Sequence, residues 1–467
     1  MLLAGVVRLA LGNQHSMILK QDGSVWSTGD NEYGQLGYGL TVGSIKFVWA
    51  FLGAARAVAV GNDHSMILKQ DGSVWVTGRN IHGQLGDGST ADKSTFVRIL
   101  SSDAQAVAAG SDSSILLKQD GSVWATGRNH HGQLGDGTKA TRSRFVQVVS
   151  SGATAVVTGG YHTMVLKQDG SVWSTGSNYF GQLGMGLLFI DSDVFRKVVS
   201  SDVEGIAAGA LHSLIMKNDG SVWTTGRNLF GQLGDGSTIP KSTFTLAVAG
   251  GAKAVAAGHS HSMVLKQDGS VWATGSNVHG QLGDGSTIAR STFIPVVASG
   301  AKAVAASHSH SMMLKRGGSV WATGSNVHGQ LGDGSITNRN SFVQIRSSAT
   351  KAVAAGFGHS MILIQDGSVQ ATGWNLYGQL GDGSITSKSK FIKVAKVSAR
   401  TVHDTITRTD NHDAVTRPGN HLPSDVAVTT TVSSAGEKRA NGFFVPCTCF
   451  CKLCAVMPFH DLRRVLN

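Results

Sequence analysis

The string DGSVW begins at Asp22, Asp71, Asp120, Asp169, Asp219 and Asp268, and degenerate copies begin at Gly317 (GGSVW) and Asp366 (DGSVQ). Successive copies lie 49 or 50 residues apart, and GQLG follows each at one fixed offset, from Gly34 to Gly378. A period of that size means one supersecondary unit stacked on copies of itself, because a single unit cannot bury its apolar face alone. The period therefore overrides the division into about three domains that length alone suggests.

Each unit reads as four short strands. In the sixth these are 253–258 (KAVAAG), 261–266 (HSMVLK), 270–275 (SVWATG) and 293–297 (FIPVV). Short runs rich in Val, Ile and Trp and bounded by Gly are strand signals. The Asp-Gly between the second and third runs suits a hairpin turn with positive φ. Four strands per unit, repeated radially, make the blade of a β-propeller, so the fold expected is all-β. The small residues of AVAAG fit strands crowded around the axis, and the SVW strand fits where the blade widens.

The repeat count gives eight blades; a seven-bladed ring carrying one displaced copy is the alternative. Residues 5–20 resemble the first half of a unit and 366–397 the last half. The two ends are therefore expected to share a blade, closing the ring and removing free sheet edges. Residues 398–467 have no period and are rich in Thr, Asp, His, Ser and Asn, which reads as a disordered tail.

Composition narrows the function classes. The formal net charge is +11, and most of it belongs to 1–397. That balance favours an acidic protein face, anionic lipid or nucleic acid without choosing among them. All four cysteines, Cys447, Cys449, Cys451 and Cys454, lie in the tail, so no disulfide holds the repeats. Their C-x-C-x-C-x-x-C spacing departs from the two separated pairs usual in structural zinc sites. With no run of about 20 apolar residues and no signal-peptide pattern, a cytoplasmic or nuclear setting is expected, without a membrane.

The pattern DGSVWATG-x-N-x-x-GQLGDG followed by AVAAG-x-x-HSMVLK resembles the regulator of chromosome condensation repeat family over residues 1–397. The resemblance implies a propeller of four-stranded blades, usually seven. Members of that family include a nucleotide-exchange factor for the GTPase Ran, a plant ultraviolet-B photoreceptor, a bacterial inhibitor of β-lactamases and modules of ubiquitin ligases. Such a fold does not carry one function. The even spacing leaves no room for the exchange factor's inserted wedge. The photoreceptor's tryptophan-rich GWRHT-type motif is replaced here by GHSHS, GNDHS or GFGHS.

The repeating Trp26, Trp75, Trp124, Trp173, Trp223, Trp272 and Trp321 are expected in the core between blades, where each buries a large area. A stacking platform for nucleic acid is the competing reading. His15, His64, His162, His212, His261, His310 and His359 open the second strand and are expected to bond the backbone there. Two of them belong to H-x-H pairs, His259/His261 and His308/His310, but radial symmetry spreads these rings apart, so no metal and no cofactor is expected.

A catalytic centre needs residues that break the repeat. The breaks are Tyr38, Ser113, the stretch 185–191, Arg316/Gly317, Gln370 and Trp374, and none pairs a nucleophile with a base. No enzyme is expected. Binding residues are sought instead at variable loop positions on the rigid scaffold. The residue before the invariant Asn is Arg79, Arg128, Arg227 or Trp374 in four units, and an aromatic ring or imidazole precedes every GQLG: Tyr33, His82, His131, Phe180, Phe230, His279, His328 and Tyr377. A second variable loop is basic in most units, with Lys93, Arg142, Arg290 and Arg339 among its residues. Arg and aromatic side chains dominate protein interfaces. The function expected is thus a non-enzymatic, monomeric interaction propeller or scaffold binding a protein, acidic or a small GTPase. A guanine-nucleotide exchange factor and a chromatin or nucleic-acid binder are the alternatives.

Overall fold

The computed structural model describes residues 5–394 together with a two-residue ladder in which Val428 faces Thr448 and Thr429 faces Cys447. The expectation of a disordered tail and the cysteine cluster otherwise lie outside the described residues. Within 5–394 the chain forms eight four-stranded antiparallel sheets and no helix. They occupy 6–51, 55–100, 104–149, 153–199, 203–248, 252–297, 301–346 and 350–393.

Blade 6 shows how the unit folds. Its strands are Ala252–Ala257, His261–Lys266, Val271–Gly275 and Arg290–Val297, paired in that order. The first strands of neighbouring blades lie against one another around the axis, where alanines keep the backbones close. The outermost strand carries Pro295 opposite Trp272; an edge strand tolerates the missing amide. In blade 2 the Asp-Gly turn between the second and third strands places Gly72 at φ +77, with Asp103, in the link to blade 3, so near that a Cβ would lie 2.6 Å from its amide nitrogen. Glycine is thus required there by conformation and by contact.

The expected shared blade is corrected. Blade 1 contains four consecutive strands, Val6–Leu11 to Ser44–Phe51, and blade 8 contains Thr350–Ala355 to Lys388–Lys393. The pairing phase explains the difference: a blade starts at the AVAAG strand, so a unit counted from DGSVW is cut through its middle. Both described ends fall on blade boundaries. Closure uses the same contacts as every other interface. Val6 N donates to Gly367 O at 3.0 Å, as Ala55 N does to Gly23 O. Thr28 Oγ1 donates to Gly378 O at 2.8 Å, as Thr77 Oγ1 does to Gly34 O at 2.9 Å. Lys46 bridges Asp382, as Thr95 bridges Tyr38. The outermost strands, eight residues long in blades 1 to 7 and six in blade 8, remain as edges at the rim.

The core is divided among the interfaces. One cluster joins Leu117, Val123 and Leu134 of blade 3 to Val156 and Val165 of blade 4, with Trp173 packed against it. Trp26 is buried and the other six repeat tryptophans are half-buried. In five of those six the lysine ending the second strand lies over the ring, with Lys266 Nζ 4.1 Å from the Trp272 ring and Lys118 Nζ 4.3 Å from Trp124, a cation–π contact; Trp75 meets Phe51 edge-on instead. In blade 8 both partners change together, to Ile364 and Gln370.

Candidate interaction face

The turn between the first two strands and the long loop after the third emerge at the same end of every blade, so sixteen segments form one face. The invariant Asn and Gln make the long loop rigid. Asn80 Oδ1 accepts from Leu85 N at 2.9 Å while its amide donates to Asp87, Ser89 and Ala91. Gln84 Oε1 accepts from His82 N at 3.0 Å, and Leu85 is fully buried beneath. Held this way, the residue after each Asn (Glu32, Ile81, His130, Tyr179, Leu229, Val278, Val327, Leu376) is exposed. The ring before GQLG lies half-buried, except that Phe230 is exposed.

The histidines that open the second strand do not bond the backbone of their own strand start. His64 Nε2 meets Ser114 Oγ of the next blade at 3.0 Å, and the same pair recurs as His15–Ser65, His162–Ser213, His212–Ser262, His261–Ser311, His310–Ser360 and, across the closure, His359–Ser16. Ser114 Oγ also donates its one proton to Gln84 O at 2.7 Å. It must therefore accept from the imidazole, which fixes the Nε2–H tautomer. Nδ1 is left buried without a partner in six of the seven. A second proton would strand a charge there, and burial holds these rings far below the ordinary imidazole range, His64 and His162 at about 4 and the other five at about 3. Ser113 and Thr163 replace the pair between blades 3 and 4.

Each H-x-H pair is split by the strand start. His261 and His310 point into interfaces, whereas His259 and His308 meet at a tilt of 58° with ring centroids 4.6 Å apart in the first turns of blades 6 and 7. The string continues through Phe357, 5.3 Å from His308, to Trp374, which stacks on His328 and meets Tyr377 edge-on at 5.5 Å. Among the described residues no group of three His, Cys, Asp or Glu side chains could hold a metal, and no helix is long and apolar enough to cross a membrane.

The basic loop residues find partners inside the fold. Lys93 pairs with Asp87 at 3.2 Å, Lys241 with Asp235 at 3.2 Å, Arg290 with Asp284 at 2.7 Å, Arg339 with Asp333 at 2.6 Å and Lys388 with Asp382 at 3.3 Å, and Arg142 repeats the pair with Asp136. Burial pushes Asp235 up, but hydrogen bonds from Ser237, Asn228 and Lys241 outweigh it and hold the carboxyl below its ordinary value. Where the acid is Tyr38 or Met185, the base is also absent, with Ser44 and Ser192 in its place. That covariation was readable in the sequence and marks the ion pair as a loop staple.

The three loop arginines differ. Arg79 pairs with Asp63 at 3.2 Å and lies over Tyr33, and Arg128 pairs with Asp112 at 3.3 Å. Burial raises Asp63 to about 6 against the pull of Arg79. Arg227 has Leu211 at the position of those acids and lies between Phe180 and Phe230, 5.6 and 5.5 Å from their centroids.

Eight blades of this pattern, with rigid loops on one face, define a β-propeller of the repeat-assembled class. An RCC1-like domain model matches residues 2–290, and regulator of chromosome condensation (RCC1) repeat models match 268–314, 301–330 and 351–379. The chain belongs to the regulator of chromosome condensation repeat family. Similar solved structures include Prp20p from Saccharomyces cerevisiae, 21% identical over 63% of this chain and 77% of that one, with a TM-score of 0.54. Human WBSCR16 is 22% identical over 66% and 85%, at 0.55. Yeast RCC1 (Prp20) in its complex with Kap60 is 19% identical over 84% and 85%, at 0.57. A comparison with curated proteins finds no match.

Proposed function

We propose that this protein is a non-enzymatic interaction propeller that binds a protein partner through the loop face. The observation that carries this reading is the contrast within one loop: the Asn side chain is held at both its oxygen and its amide and the Asp is paired with a cation in six blades, while the position after each Asn is exposed and varies around the ring. Rigid presentation of varied side chains lowers the ordering cost of binding. The sector of blades 4 and 5 is the most apolar part of that face, with Tyr179, Leu229 and Phe230 exposed.

Protein partners are also what the similar structures were studied with: Prp20p with Gsp1p and histones, and yeast RCC1 with Kap60. These parallels support a nuclear or cytoplasmic setting. They also motivate exchange-factor activity as a second reading, although the strands and loops of blades 1–8 include no insertion that could serve as a wedge. A broad basic face for nucleic acid is less supported, because six loop cations are already paired.

Affinity capture with mass spectrometry tests the reading. A Tyr179→Arg, Leu229→Arg variant should lose partners that the intact protein retains, whereas Gln119→Arg at the opposite end of blade 3 should not. Equal loss from both, or no loss from the first, would refute it. Acceleration of nucleotide release from a GTPase panel would favour the second reading.

A further inference from the structure

Arg227 is the loop arginine with no acid. At its repeat position Arg79 and Arg128 each hold an aspartate, but Leu211 stands where Asp63 and Asp112 do. Among the described residues its Nε is buried without a hydrogen-bond partner, as is that of Arg128, but Arg128 has a carboxylate on its terminal nitrogen and Arg227 has none at that position. A guanidinium kept between two phenyl rings and denied its carboxylate is a vacancy for an acceptor, because an unpaired buried donor costs free energy that a ligand's oxygen would recover. The neighbouring His259 adds to this: its Nε2 is also buried and unpaired, while Nδ1 meets Ser260 Oγ at 2.8 Å.

The surroundings specify what accompanies the acceptor. The long loop of blade 4, which lacks the ion-pair staple, exposes Leu187, Leu188, Phe189 and Ile190. The corresponding loops of blades 5 to 8 each expose one isoleucine, Ile239, Ile288, Ile336 or Ile385. Phe189 adopts φ 60, a costly conformation for a phenylalanine, held by its N–H to Asn178 O at 3.1 Å. Its ring meets Tyr179 edge-on at 4.9 Å, and Tyr179 meets Phe180 at 4.9 Å. Local strain that presents a 63%-exposed phenyl ring to solvent is the kind retained for binding.

We propose that Arg227, with the apolar surface of blades 4 and 5, forms a docking site for a protein segment that carries an aspartate or glutamate beside aliphatic or aromatic residues. The site rests on the interaction-face reading and gives it a place and a partner chemistry. A planar guanidinium matches a carboxylate in a bidentate pair. Nucleic acid fits less well, because backbone binding needs several free cations and the nearby Lys241 and Arg290 are paired with Asp235 and Asp284.

The test uses the full chain and the acetylated, amidated tripeptide phenylalanyl-glutamyl-leucine, followed by the side-chain Nε–H resonances of the arginines. The Arg227 signal should shift saturably while those of Arg79 and Arg128 stay fixed. Replacing the peptide's glutamate by glutamine should weaken binding at least about tenfold. Leu211→Asp, which restores the internal acid without touching Arg227, should weaken it comparably, and Arg227→Gln should abolish the shifts around Tyr179 with thermal unfolding unchanged. Equal binding of the two peptides, undiminished binding by Leu211→Asp, no shift at Arg227, or a shift driven by inorganic phosphate at lower concentration than by the peptide would overturn the proposal. If partner capture still depends on Tyr179 and Leu229 while Arg227 stays silent, the face stands and the docking site falls.

Discussion

Lowering the pH should unfold this ring through its interfaces. Seven imidazoles are buried between blades with folded-state pKa values of about 3 or 4. In the unfolded chain they return to about 6.5. Because the folded values lie below the unfolded ones, their contribution is intact above about pH 6.5. It is lost as pH falls from there toward 4, since only the unfolded chain binds the protons. At pH 5.5 each unfolded histidine is about 90% protonated, which costs the fold somewhat over ~1 kcal/mol per site. Seven sites give roughly 10 kcal/mol, comparable with the whole stability of a typical domain at about 5–15 kcal/mol.

Other buried groups alter the count slightly. His308, at about 4, and His259, held well below its ordinary value by burial, then by His308 and Arg227, act in the same direction. Asp63, raised to about 6 by burial, acts oppositely and recovers less than about 1 kcal/mol at that pH. The assay is direct: guanidinium is added to an unbuffered solution held at pH 5.5, and the acid needed to keep the pH constant is measured. Unfolding should take up about seven protons per chain. Uptake of fewer than three would refute the neutral interface imidazoles.

Further outcomes follow from the same geometry. Gly381→Ala, at the closure, would place a Cβ 2.5 Å from the Phe47 ring at φ +68, and Gly234→Ala would do the same to Phe293 at 2.4 Å and φ +70. Each should cost about 2–4 kcal/mol in denaturant titrations, and a much smaller loss at Gly381 would show that the ring is not closed by an ordinary interface. Ser113→His with Thr163→Ser should install the missing imidazole pair, raising stability at pH 8 by about 1 kcal/mol and adding about one proton to the acid uptake; no change in uptake would count against the pairing. A double-mutant cycle on Asp333 and Arg339 should give a coupling of about 0.5–1 kcal/mol, and zero coupling would remove the pair's role as a staple.

The period was the most legible property of the chain, because every unit repeats the same spacing of strand, turn and Gly. The blade phase was harder to read: DGSVW is the most visible string, but strand pairing begins one hairpin earlier, so the predicted shared blade dissolved into two whole ones. The histidine partner was hidden because it lies one unit away, at Ser16, Ser65 or Ser114, where no local pattern points. The basic loop looked free because each cation was read without the aspartate six positions before it. Blade 4's strained loop was visible as a break at 185–191, but its meaning depends on Arg227, which only folding brings beside Phe180.

The central claim is that one face of a closed eight-bladed ring engages a protein. Photo-crosslinking tests it most directly, with a benzophenone side chain placed either at Leu229 on the loop face or at Asp120 in the hairpin turn at the other end of the blades. A discrete protein adduct that untagged protein competes away should form from Leu229, and none from Asp120. An adduct from Asp120 with none from Leu229 would contradict it.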